Sequence, residues 1–336
     1  MERLSKNKLV EVLGFYFPNA ENSILLQKFK DNVFLVGLDD KKYVVKEYSP
    51  VFTPERLNFF EELQNFTSEK INVLPRVTTT LEHKLNVQLD GFGYDLTEFV
   101  KSENFEKSKV KDVGRFFFDI GSFVGNLHSI FSEFENSGYP TTKSLLNIVP
   151  NTPIHMINLL KDYKEAGVDE SWVRIVEDKM TMVGHYFPIV NLFGKLPQKI
   201  VHGDLYLKNI LLDENLKVVG LIDFEQAGTF FRCYEVMRSI VQTNRFFQHV
   251  DIDPLYLKSF LRGYLNKYSL DEVELKNMLD LYIYIQASDV SFLDIDTIKN
   301  GNEEVREYAR YRFDSLNSLH NNHQLLSRSI NELWQN

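Results

Sequence analysis

The sequence predicts an α+β chain of two unequal lobes, a small β-rich N-terminal lobe at residues 1–98 and a larger, mostly helical lobe at residues 99–336. Three features carry that expectation. Strand-like runs cluster near the N-terminus, and helical periodicity dominates beyond Val110. Between long helical stretches lies Val201–Gln226, VHGDLYLKNILLDENLKVVGLIDFEQ, where two short apolar runs flank a polar turn and acids stand at either end.

The N-terminal elements follow in order. Leu4–Phe17 has apolar residues at helical spacing and stops at Pro18. Ile24–Phe29, Val33–Leu38 and Tyr43–Tyr48 read as strands separated by the turns Lys30-Asp31-Asn32 and Asp39-Asp40-Lys41. Strand alternation puts Lys46 on one face with Val44 and Tyr48, opposite Val45 and Glu47. Thr53-Pro54 is a helix start, with Thr as cap and Pro at the first helical position, and the helix continues through Phe66. Val73–Val77, Lys84–Leu89 and Gly93–Phe99 complete the strands.

The second lobe opens with a long helix, Val110–Phe134, whose Gly114, Gly121 and Gly125 allow a neighbour to approach closely. Gly138–Pro150 reads as a loop, and Thr152–Tyr163 and Glu170–Phe187 as helices. Further helices are expected around Tyr234–Phe247, Pro254–Lys267, Asp271–Ser288 and Glu303–Trp334.

Composition excludes several classes of function. A net charge of −9 argues against general nucleic-acid binding, which needs a basic surface. The single cysteine, Cys233, excludes an intramolecular disulfide and fits a reducing compartment. The first residues lack the apolar centre of a signal peptide, and no apolar run reaches the length of a membrane span. A cytoplasmic protein without a membrane partner is the expectation.

The chemistry concentrates in Val201–Gln226. His202-Gly203-Asp204 is followed by Asn209, then by the strand–turn–strand and Asp223-Phe224-Glu225. H-x-D-x-x-x-x-N, a hairpin and D-F-x form the phosphoryl-transfer half of a kinase site. A carboxylate, Asp204, orients or takes the proton of an attacking hydroxyl. The amide oxygen of Asn209 and the carboxylate of Asp223 supply hard oxygens for Mg2+ beside the phosphates of ATP. Neither Arg after the His, nor Lys two places after Asp204, nor Gly after D-F is present, and no A-P-E follows, so a protein kinase is the weaker alternative.

The segment resembles the aminoglycoside phosphotransferase and choline kinase superfamily, and Ile222–Glu235 (IDFEQAGTFFRCYE) is similar to its choline/ethanolamine kinase branch. The resemblance implies a two-lobed, protein-kinase-like fold and an ATP-dependent kinase of small molecules. It implies that Lys46 orients the ATP phosphates, held by an acid of the following helix. Glu61 and Glu62 are the candidates, and Glu61, four residues after Leu57, is preferred. Glu98, Phe99 and Val100 fall at the connection between lobes, where main-chain groups would hold adenine. The acceptor is a hydroxyl of an amino sugar or aminoglycoside, of choline or ethanolamine, or of another alcohol. Glu225 and Glu235 are expected on the acceptor side, favouring a cation. Tyr282 and Tyr284 stand where choline kinases favour Trp, and HGD replaces their common HND. A kinase fold kept only for binding is the competing reading, and the presence of Lys46, Asp204, Asn209 and Asp223 together counts against it.

Overall fold

The computed structural model describes residues 6–71, 74–135 and 152–334, so the expected loop at Gly138–Pro150 lies outside the described residues. Helix α1 (Lys6–Gly14) precedes strands β1 (Ile24–Lys30), β2 (Val33–Leu38) and β3 (Lys41–Tyr48). Helix α2 (Pro54–Lys70) follows, then β4 (Asn86–Leu89) and β5 (Phe92–Glu98). These strands form one antiparallel sheet in the order β1-β2-β3-β5-β4. Its period-two pattern divides the faces as expected. Val45 packs with Phe34, Val36, Tyr94 and Leu96 against Leu9, Val12 and Leu13 of α1. Lys46 and Tyr48 project from the opposite face toward α2 and the cleft.

Helix α2 begins where the sequence signals it, with Thr53 Oγ1 accepting from the Arg56 N–H at 3.3 Å and Pro54 in the first turn. Leu57, Phe60 and Leu63 on its inner face are fully buried, each worth about 1.5–3 kcal/mol relative to exposure. The strand expected at Val73–Val77 reduces, among the described residues, to a single bridge between Val77 and Thr97. Pro75 lacks an N–H for a ladder, and its carbonyl accepts from Gln64 Nε2 at 2.9 Å.

The larger lobe contains α3 (Val113–Phe131), α4 (Thr152–Ala166) and α5 (Glu170–Tyr186). Next come the short strands β6 (Gln198–Val201), β7 (Ile210–Leu212), β8 (Val218–Leu221) and β9 (Gly228–Phe231). Helices α6 (Arg232–Phe246), α7 (Pro254–Leu265), α8 (Glu272–Ser288), α9 (Ile295–Asn300), α10 (Glu303–Asn321) and α11 (His323–Trp334) complete it. Asp112 caps α3 by accepting from the Arg115 N–H at 2.9 Å, which starts the helix three residues later than expected. The continuous helix expected over Glu303–Trp334 breaks at Asn322, whose side chain donates to the Ser318 carbonyl at 3.0 Å. The pairing of β6 with β9, and the short α9, are too brief to show a periodicity in sequence.

Helices α3 and α7 cross at close range. A Cβ on Gly121 would lie 2.1 Å from the Phe260 carbonyl oxygen, and one on Gly125 2.5 Å from that of Tyr264. Gly263 makes the reciprocal approach, 2.0 Å from Phe118 O. Gly114 is different, since a Cβ there meets nothing nearer than 3.5 Å. Gly121→Val is therefore expected to cost about 2–4 kcal/mol by forcing the helices apart, whereas Gly114→Ala should hold or gain about 0.5–1 kcal/mol. Urea unfolding midpoints measure both, and equal midpoints for the two variants would remove the packing role.

Candidate active site

The site is built on a loop between β6 and β7 and on the turn that follows β8. The β7–β8 hairpin pairs Ile210 with Leu221, and the Ile222 N–H donates to the Asn209 carbonyl at 3.0 Å. Asn209 and Asp223 are thereby held at the same end of the hairpin. Asp223 has φ +71° and ψ +54°, a left-handed conformation that a non-glycine residue adopts only when its surroundings enforce it.

Gly203 explains why the motif reads HGD. Its φ is +80°, and a Cβ there would lie 2.2 Å from the Gln226 carbonyl oxygen. His202 is fully buried. Its Nε2 lies 3.1 Å from the Ile222 carbonyl, which can only accept, so Nε2 carries the proton and Nδ1 accepts from the Asp204 N–H at 3.3 Å. Burial pulls its pKa below the ordinary histidine value, in spite of nearby Glu235 and Asp204, and favours that neutral form.

Helix α6 braces this loop from behind with Glu235, Arg238 and Ser239, which share one face at helical spacing. Glu235 Oε2 accepts from His128 Nε2 at 2.8 Å and from the His202 N–H at 3.0 Å, while Oε1 accepts from the Gly203 N–H. Burial pushes this carboxyl up, but the hydrogen bond from His128, the neighbouring imidazoles and the His202 N–H outweigh it and hold the pKa below the usual value. His128 completes its set with Tyr264 Oη at 2.9 Å. Glu235 does line the cavity on which Asp204 lies, but with both oxygens engaged it braces the loop and offers no free carboxylate to a cation. Arg238 Nη2 contacts Asp204 Oδ1 at 2.6 Å and Nη1 donates to the Gly203 carbonyl. Asn209 Nδ2 donates to Asp204 Oδ2 at 3.0 Å, leaving the Asn209 amide oxygen for another partner. Sequence reading missed Arg238, although its position three residues after Glu235 was the available signal.

Across the cleft, Lys46 Nζ lies 2.5 Å from Asp223 Oδ1 and 2.7 Å from Glu225 Oε2. Burial lowers the Lys46 pKa, yet the two carboxylates overcome it and raise the net value. Glu225 accordingly faces Lys46 and not the acceptor side, which corrects the expectation. Its carbonyl accepts from Arg56 Nη2 of α2 at 2.9 Å.

No ion pair joins Lys46 to Glu61 among the described residues. Glu61 is fully buried, with Oε2 accepting from Asn86 Nδ2 at 2.6 Å and Oε1 without a partner. Burial and the neighbouring Asp95 carboxylate push its pKa well above the carboxylate range. The expected pairing fails because Lys46 turns toward two exposed-side carboxylates while Glu61 is captured by β4.

Two cavities meet at the loop. One, of about 730 Å³, is lined by Lys46, Glu98, Phe99, Val100, Asn209 and Asp223, with Lys208 also on its wall. The N–H groups of Glu98 and Phe99 donate to the Arg76 and Lys42 carbonyls, whereas that of Val100 has no main-chain partner among the described residues. Asn32, in the β1–β2 turn, folds onto β3, its amide donating to the Glu47 carbonyl at 3.0 Å. The other cavity, of about 500 Å³, is lined by Asp204, Arg238, Gln242, Gln286, Asp289 and Arg312 among others. Tyr206 borders both. Tyr282 and Tyr284 line neither, being 3% and 1% exposed and packed in the core against Tyr234 and Phe193.

The phosphotransferase enzyme family matches residues 25–275, three quarters of the chain. The chain belongs to that family. The phosphotransferase is thus an enzyme of the small-molecule kinase class, on a protein-kinase-like fold. None of the curated proteins matches its sequence. It is similar in fold to an aminoglycoside phosphotransferase from Alicyclobacillus acidocaldarius, at 12% identity and TM-score 0.65 over 98% of each chain. A choline kinase from Cryptosporidium parvum Iowa II aligns at 14% identity and TM-score 0.62, over 99% of this chain and 100% of that one. An amicoumacin kinase in complex with AMP-PNP, Ca2+ and Ami aligns at 12% identity and TM-score 0.64 over 94% of each chain. No helix among the described residues is long and apolar enough to cross a membrane.

Behind the second cavity, Lys179 is buried with Nζ donating to the Gln286 carbonyl at 2.7 Å. Burial, and then the charge of Arg312, pull its pKa down to about 7. Above that pH the folded protein has released a proton that the unfolded chain keeps until about pH 10.5. Stability of the native protein, relative to Lys179→Met, is therefore expected to rise by roughly 1–4 kcal/mol between these limits. Unfolding midpoints of both proteins from pH 6.5 to 10 read this out, and parallel curves would refute the buried neutral lysine.

Proposed function

We propose that the protein transfers the γ-phosphoryl of Mg-ATP to a hydroxyl of a small molecule, with residues 1–98 covering the nucleotide and residues 99–336 supplying catalytic and acceptor groups. One observation carries the reading. The loop from Asp204 to Asn209 separates two cavities, with Asp204 on one and Asn209 and Asp223 on the other. A phosphoryl group passes between donor and acceptor at such a wall. The AMP-PNP in the amicoumacin kinase complex supports an adenine nucleotide as donor.

The residues fit the nucleotide and its metal. The Val100 N–H is available to adenine, and the larger cavity is of a size common for cofactors. The Asn209 amide oxygen and Asp223 Oδ2 have no protein partner among the described residues, leaving two hard oxygens on one wall. Two such ligands suit magnesium, which keeps waters and takes phosphate oxygens for the rest of its shell. When bound there, the metal would neutralise phosphate charge in the transition state. Lys46 adds a positive charge on the same wall, and Glu225 sets its direction.

On the acceptor side, Asp204 accepts the proton of the attacking hydroxyl as its oxygen bonds to the γ-phosphorus and the bond to the leaving diphosphate breaks. Arg238 and Asn209 fix the orientation of that carboxylate before the acceptor arrives. Catalysis is then mainly positioning and charge neutralisation.

The test is ATP consumption by the purified protein with magnesium, with and without hydroxylated small molecules. Acceptor-dependent ADP release is expected, and its absence across a broad panel would overturn the reading. Asp204→Asn should lower kcat by about 10²–10⁴-fold while AMP-PNP affinity stays within about threefold. Unchanged turnover would remove Asp204 from the reaction. Asp223→Ala should abolish the magnesium dependence of nucleotide affinity, measured by calorimetry at several metal concentrations, and a wild-type dependence would reassign that carboxylate.

A further inference from the structure

The cavity beside Asp204 is rich in charge, yet nearly all of that charge is already engaged. Asp204 is held by Arg238 and Asn209. Both oxygens of Glu235 accept from His128 and the loop backbone. Asp289 Oδ2 pairs with Arg312 Nη2 at 2.7 Å, and its Oδ1 accepts from the Ser291 N–H and hydroxyl. Burial alone would push Asp289 up, but Arg312 overcomes it and brings the carboxyl down to about 2. No carboxylate on this wall is left to receive an ammonium group.

Two of the aromatic faces, Phe292 and Tyr308, are engaged in the same way. The Arg312 guanidinium stands 4.8 Å from the Phe292 ring centre, and that of Arg245 lies 4.2 Å from Tyr308. Those rings already hold the protein's own cations, so they do not form a vacant cage for a quaternary amine. The positive groups bring no net field either, since each guanidinium on the wall faces a carboxylate. Lys179 lies behind them with its Nζ donating to the Gln286 carbonyl at 2.7 Å, and burial pulls its pKa down to about 7, so its charge fades as the pH rises past neutrality.

What stays free is neutral hydrogen-bonding capacity. Gln226 and Gln242 make no side-chain hydrogen bond among the described residues, and each offers both a donor and an acceptor. Arg312 Nε and Nη1 and Arg238 Nε also have no partner there. Tyr206 and Tyr308 add unengaged hydroxyls, and Phe230 an apolar surface. Alternating donors and acceptors beside a ring face match a molecule whose hydroxyls both donate and accept and whose C–H faces are apolar.

We propose that the acceptor is a neutral, polyhydroxylated molecule of about monosaccharide size, held by Gln226, Gln242 and the spare N–H groups of Arg238 and Arg312. This rests on the phosphotransfer reading above and narrows its acceptor. A fixed cation or anion entering the cavity would lose hydration without finding a free counter-charge, a penalty that a neutral polyol avoids.

The experiment compares matched hexoses at neutral pH, namely glucose, glucosamine, N-acetylglucosamine and glucuronate, with inositol, choline and kanamycin alongside. Initial rates of ADP release and 31P detection of the product give kcat/KM for each. A neutral compound is expected to lead, with its amine or carboxylate counterpart at least about tenfold lower and neutrality restored by N-acetylation. Gln242→Leu and Arg312→Met should each raise the acceptor KM by about tenfold or more, with kcat and the ATP KM changed little. A preference for glucosamine, kanamycin, choline or glucuronate would overturn the proposal, as would the failure of every neutral polyol to stimulate turnover. AMP-PNP binding, measured in the same samples, separates the two levels. If nucleotide does not bind, the phosphotransfer reading falls and takes this one with it; if it binds, a negative neutral panel counts against the acceptor class alone.

Discussion

The loop from His202 to Asn209 depends on one buried carboxylate. Glu235 is buried, and its carboxylate is stabilised because three N–H groups converge on it, from the His128 ring and from the main chain at His202 and Gly203. A buried carboxylate with those donors is stable, whereas the same donors without it would be orphaned, at a cost of about 1–3 kcal/mol each. The path of the chain through His202-Gly203-Asp204 is therefore set by α6, an element that lies after the loop in sequence.

The dependence continues outward. His128 is positioned by Tyr264 Oη, and Tyr264 lies on α7 where Gly125 lets the two helices approach. The distance between two helix backbones, governed by absent side chains at Gly121, Gly125 and Gly263, thus reaches Asp204 through one ring and one carboxylate. On the other side of the loop, Arg238 and Ser239 hold Asp204 and the Leu205 carbonyl, so α6 sets both the backbone and the side-chain direction.

The legible parts of the fold and site are those whose spacing is local. Asp204, Asn209 and Asp223 sit on a loop and hairpin whose turn chemistry is written within one stretch, and Lys46 follows from strand alternation. The α2 cap is likewise local, being Thr53 followed by Pro54. Glu61 shows the limit. Helical spacing placed it inward, but its partner was decided by Asn86, a residue 25 positions away that only the sheet order brings near. The same holds for Glu225, drawn to Lys46 across the cleft, and for the Arg312–Asp289 pair, which joins α10 to the end of α8. Aromatics at helical spacing, Tyr282 and Tyr284, satisfied both a core and a ligand-cage reading until their burial chose the core.

Lys46 is shared by two carboxylates, Asp223 and Glu225, so this cluster of three carries one more negative charge than positive, with Lys30 acting on Asp223 and Arg56 on Glu225 from beyond it. A polyphosphate approaching alone meets repulsion there, while a divalent cation approaching alone meets attraction but finds only part of its coordination shell. Each ligand would therefore raise the affinity of the other, and by linkage the two factors must be equal. The nucleotide and its metal would behave as one thermodynamic unit at this site, with Glu225 setting how strongly the two are coupled.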